Sequence, residues 1–365
     1  MSKNHSRDSQ FTCLLLDWQR RYGRHDLPWQ RTNEWYPRLV SELMLQQTQV
    51  STVIPKYEAF LTAWPDAASL ASASDDDVMA LWAGLGYYAR ARNLLKSVRR
   101  IVNDFGGVCP PDAAAFSKLP GVGPSTAGAM AAFVHGERAV MADGNAQRVL
   151  ARVFLIPGSP DMKTFQRAVW HRAETLLPSE ADMADYTQGL MDFGSMVCTK
   201  KPVCQNCPMA SICLAQKAGK VAEYPGRKPK KERPIRYGAA VFLFSGDAVY
   251  LRKKTEEDGV WRGLWLPFVQ ESNDPPSNST LLAVSGAGDV EVSRYAALPE
   301  VVHDFTHYRL ILRAAMADLV SGEQVPDGYC LFSADQDGTV GLPTPIAKLL
   351  AYARSLRQTM PAAIV

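Results

Sequence analysis

Four cysteines, Cys198, Cys204, Cys207 and Cys213, stand in the spacing C-x5-C-x2-C-x5-C. Four thiolates in so short a run point to one metal centre. Zinc is one candidate, but structural zinc usually draws on two Cys-x-x-Cys knuckles well separated in sequence. Here a single Cys-x-x-Cys has one outlying cysteine on each side, which suits a cubane [4Fe–4S] cluster better. A second such stretch runs from Lys118 to Arg148. Leu119-Pro120-Gly121-Val122-Gly123 is too short and glycine-rich to be anything but a tight turn, with Ala-rich helical spacing on both sides. Glycine at 121 and 123 permits positive φ and leaves no side chain over the backbone. The turn amides and the N-terminus of the next helix, which carries Ser125 and Thr126, then form an anion site. A lone Gly-x-Gly would be a plain helix corner. Twenty residues beyond Gly123, however, comes Asp143-Gly144-Asn145, where a returning chain can set a carboxylate beside the turn. Glu42 lies in an amphipathic helical run, where a glutamate by itself usually belongs to a solvated face.

The elements that position these groups follow from patterning. A chain of 365 residues with 47% hydrophobic content can bury two or three domain cores. From about Phe11 to Tyr224 the period is helical nearly throughout. Phe11, Leu14, Leu15 and Trp18 share one face, and Pro37 suits a first helical turn. Leu39, Val40, Leu43 and Met44 make the next apolar face. Further helices are expected near 53–63, 75–83, 89–104, 112–118, 125–134, 145–154, 163–177 and 183–194. The charged, proline-rich run Pro225–Pro234 predicts an extended linker, placed at 226–236. Beyond it the period changes to two. Strands are expected at Ala239–Phe244, Ala248–Arg252, Leu264–Val269 and Leu310–Ala317, with a loop at 271–289 and a helix at Ile346–Leu356. The expected architecture is therefore a mainly α domain, 1–225, and a separate α+β domain, 237–365.

Composition narrows the function classes. A net charge of +3 is too small to announce a nucleic-acid binder, so any basic surface must be local. No run of about 18 apolar residues occurs, and the N-terminal patch does not read as a secretory signal. Seven cysteines, an odd count, argue for reduced thiols rather than a disulfide framework. A cytoplasmic location without membrane contact is the expectation.

The glycine turn with its following Asp143 resembles the helix-hairpin-helix-Gly/Pro-Asp motif of base-excision DNA glycosylases. Ser41–Val50 (SELMLQQTQV), with Leu27-Pro28-Trp29 upstream and Gly84–Arg92 (GLGYYARAR) downstream, is similar to the adenine DNA glycosylase family of the MutY type. With the hairpin near 118–135 and the cysteine loop 198–213, the resemblance covers nearly all of residues 11–224. It implies that Gly121, Gly123 and Ser125 hold a DNA phosphate, and that the four cysteines hold one [4Fe–4S] cluster. The family pattern is C-x6-C-x2-C-x5-C, so this chain is one residue short in the first gap, in the Thr199–Val203 loop that carries Lys200 and Lys201.

The resemblance further implies that Glu42 protonates the adenine ring and that Asp143 faces the sugar, with Asn145 as partner of the carboxylates. Neutral adenine is a poor leaving group, so the glycosidic bond breaks only once the base is protonated. Glu42 must then keep a proton near neutral pH, which an enclosed pocket favours. An ionised Asp143 stabilises the oxocarbenium-like sugar, as paired acids do in glycoside hydrolases. Related endonuclease III-type enzymes place a lysine where this chain has Ser125, and some bacterial members carry one where it has Gln147. Without that amine no Schiff base forms there, which implies a monofunctional glycosylase. Gln47 and Tyr87 match residues that enter the duplex, although Tyr88 is a rival for the aromatic role, and Gln188 matches a contact to the flipped base. Extrusion is required because the bond is inaccessible within the stack.

The C-terminal domain resembles the family's Nudix-like domain. No Arg-Glu dipeptide occurs in the chain, which opposes pyrophosphatase chemistry. Phe305-Thr306-His307 matches the family's Phe-Ser-His loop, which recognises 8-oxoguanine, with Thr306 keeping the hydroxyl. A plain strand end is the alternative there. The expected activity is hydrolysis of adenine from A:8-oxoguanine or A:G mispairs in double-stranded DNA by a monomer. The competing readings are an endonuclease III-like glycosylase/lyase for oxidised pyrimidines and a non-catalytic iron–sulfur DNA-binding or redox-sensing protein. Ser125 opposes the first, and the joint presence of Glu42 and Asp143 opposes the second.

Overall fold

The computed structural model describes all residues except 1, 228–231, 256–258, 278–291, 321–327 and 361–365. The chain divides into two compact units, Met1–Ser72 with Asn93–Lys230, and Ala73–Arg92 with Lys231–Val365. No helix among the described residues is long and apolar enough to cross a membrane.

Twelve helices precede the sheet among the described residues: α1 (Ser2–Tyr22), α2 (Trp35–Leu45), α3 (Val50–Ala63), α4 (Ala67–Ser72), α5 (Asp75–Trp82), α6 (Ala89–Phe105), α7 (Ala113–Phe116), α8 (Pro124–His135), α9 (Gly144–Phe154), α10 (Lys163–Thr175), α11 (Met183–Met196) and α12 (Leu214–Lys217). The apolar spacing that predicts α1 buries Phe11, Leu15 and Trp18 in one core with Phe133, Val149, Leu150, Val153, Leu190 and Phe193. Each such side chain contributes about 1.5–3 kcal/mol by leaving water, and together they fix α1, α8, α9 and α11 as one block. Caps set where helices start. Asp112 caps α7 and Asp143 caps α9, each accepting a backbone N–H with its side chain. The short α4 was not expected, because its only buried side chain is Leu70 and it offers no apolar period to read.

Close backbone approach matters most at Gly128. A Cβ there would sit 2.0 Å from the Val140 carbonyl oxygen, so only glycine lets α8 lie against the extended segment that leads into Asp143. A side chain at this position would push that segment, and the aspartate with it, off the helix.

In the second unit the sheet comprises β1 (Ile235–Ser245), β2 (Ala248–Lys253), β3 (Trp265–Leu266), β4 (Phe268–Ser272), β5 (Val292–Asp304), β6 (Arg309–Leu319) and β7 (Cys330–Phe332), followed by α13 (Thr344–Thr359). The expected hairpin forms, with Ser245 opposite Ala248. β1 pairs in parallel with β6 and antiparallel with β4, while β5 pairs antiparallel with β6. Phe242, Phe244, Leu310, Leu312 and Met316 pack with Ile346, Leu349 and Leu350 of α13. β5 escaped the sequence reading because it is mostly unburied and carries Pro299, which falls at a register shift between Leu298 and Val301. β7, three residues long, escaped for lack of length. Parts of the expected linker (228–231) and loop (278–289) lie outside the described residues.

Residues 73–92 pack within this second unit. The Trp265 indole and the Lys253 ammonium both meet the Asp76 carboxylate, at 3.0 and 2.8 Å, and the Tyr88 hydroxyl donates to the Leu342 carbonyl at 2.8 Å.

Candidate active site

The first unit holds a cavity of about 810 Å³. Glu42 enters it from α2, Ser125 and Thr126 from the first turn of α8, Met141, Asp143 and Asn145 from the turn before and into α9, and Gln188 and Ser195 from α11. Gln46, Gln47 and Thr48, in the loop after α2, also line it, as do Arg24, Leu27 and Trp29. Burial sets the proton affinity of Glu42. It pushes the carboxyl up to about 7, against the pull of the nearby Arg38 guanidinium and with a smaller push from Asp143. Arg38 is itself held by the Thr32 carbonyl at 3.0 Å and lies over the Phe133 ring, 4.6 Å from its centroid. An acid poised at this value carries its proton near neutral pH.

Asp143 is the N-cap of α9. Its Oδ1 accepts the Ala146 amide at 2.7 Å, so the helix itself orients the carboxylate toward the cavity. Burial raises its pKa, while the amides of Ala146 and Asn145 and the Arg148 guanidinium work in the opposite direction. Asn145 is held in turn, its Oδ1 accepting from Arg148 at 2.8 Å. Arg148 also donates to the carbonyls of Gly194 and Cys198, at 2.6 and 2.8 Å.

The hairpin turn has Gly121 at φ +76°, and a Cβ there would meet the Asn93 side chain at 2.7 Å. Gly123 does not use positive φ. It is the N-cap of α8 at φ −79°, and the space where a Cβ would sit is open. The turn is tied down by Ser97, whose hydroxyl donates to the Pro120 carbonyl at 2.9 Å. The Ser125 hydroxyl accepts the Ala142 amide at 3.1 Å, and Gln147 donates to the Ala142 carbonyl at 2.9 Å. Both positions where relatives of the superfamily were expected to differ therefore brace the residue preceding Asp143. No lysine lines the cavity among the described residues.

Gln47 and Tyr87 share an uncommon feature, a positive φ in a residue that is not glycine, at +59° and +46°. Gln47 is exposed on the cavity wall. Tyr87, in the second unit, is 53% exposed with the Arg90 guanidinium 5.5 Å from its ring centroid. Its neighbour Tyr88 is the packed one of the pair, through the bond to Leu342. The tip between β5 and β6 is closed by the Phe305 amide donating to the Tyr308 carbonyl at 2.9 Å. Thr306 and His307 are exposed there, whereas Phe305 packs on Trp261, His303 and Tyr308 at centroid distances of 5.3, 4.6 and 4.7 Å.

Arg152 organises the cysteine loop. Buried to 4% exposure, it donates to the carbonyls of Thr199, Lys200, Val221 and Tyr224 and lies 3.4 Å from the Cys198 sulfur. All four cysteines are free thiols. Cys207 is pushed up to about 11 by burial first, against the Met209 amide, with smaller pushes from the neighbouring Cys198, Cys213 and Cys204, so the four sulfurs repel as thiolates unless a cation shares them. Among the described residues no three His, Cys, Asp or Glu form a group that could hold a single metal ion.

Sequence reasoning missed Arg24, Asp192, Arg152, Gly128 and Trp261. Only Asp192 carried a signal, being an acid four residues after Gln188 and so one turn away on the same helix face. Its partner Arg24 lies at the other end of the chain, where nothing in the sequence announces the pairing.

Residues 40–174 match the model of the HhH-GPD superfamily base excision DNA repair proteins, and 239–352 match the NUDIX domain. The adenine DNA glycosylase of Buchnera aphidicola from Acyrthosiphon pisum is 31% identical over 344 residues, covering 93% of this chain and 96% of the relative. The human adenine DNA glycosylase is 42% identical, covering 93% of this chain and 73% of the relative. Among solved structures, a thermostable thymine-DNA glycosylase aligns with a TM-score of 0.53 and 28% identity, covering 59% of this chain and 99% of that one.

Proposed function

The chain belongs to the adenine DNA glycosylases, enzymes of base-excision repair, and on that premise we propose that it hydrolyses the N-glycosidic bond of adenine paired with 8-oxoguanine or guanine. One observation carries the reading: a glutamate poised to hold a proton and an aspartate on a helix N-terminus enter the same cavity, which no lysine lines among the described residues. With adenine extruded into the cavity, Glu42 transfers its proton to a ring nitrogen and the bond to the sugar lengthens. The Asp143 carboxylate faces the positive charge that grows on the sugar and stabilises it; water then adds to the sugar carbon and its proton passes to the Glu42 carboxylate, which restores the acid. Asn145, fixed by Arg148, keeps that carboxylate in place. Gln188 contacts the base, Gln47 and Tyr87 fill the duplex it leaves, and the Gly121–Gly123 turn holds a phosphate.

With Ser125 where a Schiff-base lysine would stand, and no lysine lining the cavity among the described residues, strand cleavage is not part of the cycle. The test is a set of duplexes bearing adenine opposite 8-oxoguanine, adenine opposite guanine, or thymine glycol, each incubated with and without alkali. Excision from the first two, with breaks only after alkali, is expected. Breaks without alkali, or action on thymine glycol alone, would instead support the endonuclease III-like alternative.

Four free thiols in one loop, braced by two arginines, fit the donor set of a [4Fe–4S] cluster. Cys198, Cys204, Cys207 and Cys213 would hold it, and its charge would relieve the repulsion among their thiolates. Purified protein should be yellow-brown with about four irons per chain. Stoichiometric zinc and no visible absorbance would refute the assignment.

Reading of the opposite base falls to residues 237–365. Thr306 and His307 are exposed at the β5–β6 tip, the placement a hydrogen-bonding reader needs, and Phe305 anchors it. His307→Ala should lower the preference for 8-oxoguanine over guanine about ten- to a hundredfold, the worth of one or two hydrogen bonds. Excision from A:G should be nearly unchanged. A point substitution is the cleaner probe, because a chain ended near Tyr224 would leave residues 73–92 without the partners Trp265, Lys253 and Leu342. An unchanged ratio would remove the reading role from this tip.

A further inference from the structure

Asp192 is 0% exposed, yet it receives five donated hydrogen bonds from three residues. Its Oδ2 accepts the Arg24 backbone amide at 2.9 Å and the Gln19 amide at 3.3 Å. Its Oδ1 accepts Arg24 Nε at 2.8 Å, Arg24 Nη2, and Gln188 Nε2 at 2.9 Å. The catalytic steps above use none of this. A carboxylate ion-paired with arginine can only accept hydrogen bonds. The Gln188 amide must therefore turn its NH2 to Asp192, and its carbonyl oxygen is left at the end away from Asp192, on a residue that lines the cavity. The usual ambiguity between the two ends of an amide is settled by the partner's chemistry.

We propose that Asp192 is the positioning residue that sets the polarity of Gln188, and that it thereby makes the pocket selective for a base bearing an exocyclic amine. This rests on the reading of the cavity as an adenine pocket. An amine at purine C6 donates to the Gln188 oxygen, whereas a carbonyl at the same position would set acceptor against acceptor. Two groups that both need a donor, enclosed together, lose their water without compensation.

The experiment compares single-turnover excision of adenine and of hypoxanthine, which has a carbonyl at C6, opposite 8-oxoguanine in the full-length protein. Wild-type protein that excises neither base overturns the adenine reading and, with it, the selectivity proposed for Asp192, an outcome distinct from a failure of the Asp192 variants alone. With wild-type preference established, Asp192→Ala should lower the adenine-to-hypoxanthine ratio about tenfold or more, because it removes the acceptor that holds the Gln188 NH2 and lets that amide turn over. A merely structural Asp192 would slow both bases equally and leave the ratio unchanged, which overturns the proposal. The same substitution in a Gln188→Ala background separates the roles further. If Asp192 acts through Gln188, the ratio no longer responds to it there; a response of the same size as before overturns the idea. Should Asp192→Ala fail to fold by circular dichroism, Asp192→Glu keeps the acceptor-only charge and is expected to retain the ratio even where the rate falls. Loss of the ratio in that variant counts against the proposal.

Discussion

Glu42→Gln is expected to abolish adenine excision, lowering the single-turnover rate about 10²–10⁴-fold, the usual worth of a general acid, while binding to the mispair persists. The amide matches the carboxyl in size and keeps the packing of α2, but it cannot deliver a proton. The wild-type enzyme should show the same dependence through pH. With its carboxyl pushed up to about 7, Glu42 is protonated and competent below that value, and the rate should fall about tenfold per unit above it. The effect on stability has a definite sign. The folded-state value lies above the ordinary 4.5, so the folded protein binds the extra proton, and the associated stability is lost as pH rises from about 4.5 through about 7. Glutamine escapes that loss, and the variant should melt no lower than the wild type at pH 8. Undiminished excision by the folded variant would show that the proton comes from elsewhere.

Asp143→Asn should cost at least about 100-fold in rate with little change in stability, because its two roles separate chemically. As an N-cap, asparagine replaces aspartate well, its oxygen accepting the Ala146 amide in the same way. As a counter-charge to the sugar cation it supplies nothing. Asp143→Ala removes both roles and should add about 1 kcal/mol of destabilisation to a similar loss in rate. The two carboxyls also interact: Asp143 helps to raise Glu42, so the alkaline limb of any residual Asp143→Asn activity should move to lower pH. An Asp143→Asn protein at full rate would require another anion to face the cation, and no other carboxylate besides Glu42 lines the cavity among the described residues.

Whatever is written in local patterns could be read from the order of the residues. Apolar period placed α1, α2, α6, α8, α9, α11 and the hairpin of β1 and β2, since helix and strand periods arise within a few residues of chain. Long motifs pointed to Glu42, Asp143 and the cysteines, because each role demands a residue type that few others can supply. Where burial or pairing joins distant segments, the sequence was silent. That Glu42 is a poised acid rather than a solvated one depends on how deeply α2 is enclosed, and only packing decides it. That Tyr87 is the exposed aromatic and Tyr88 the packed one depends on a carbonyl at Leu342, more than two hundred residues away. Gly123 looked like its neighbour Gly121 but serves as a helix cap instead of a strained turn, a difference set by the direction in which α8 leaves. Ser125 was read for the amine it lacks, whereas the folded chain uses its hydroxyl to brace Ala142 ahead of Asp143. Asp192 and Arg24 meet across α11 and the end of α1 because burying either charge alone would be prohibitive, and such pairings exist only once the helices have come together.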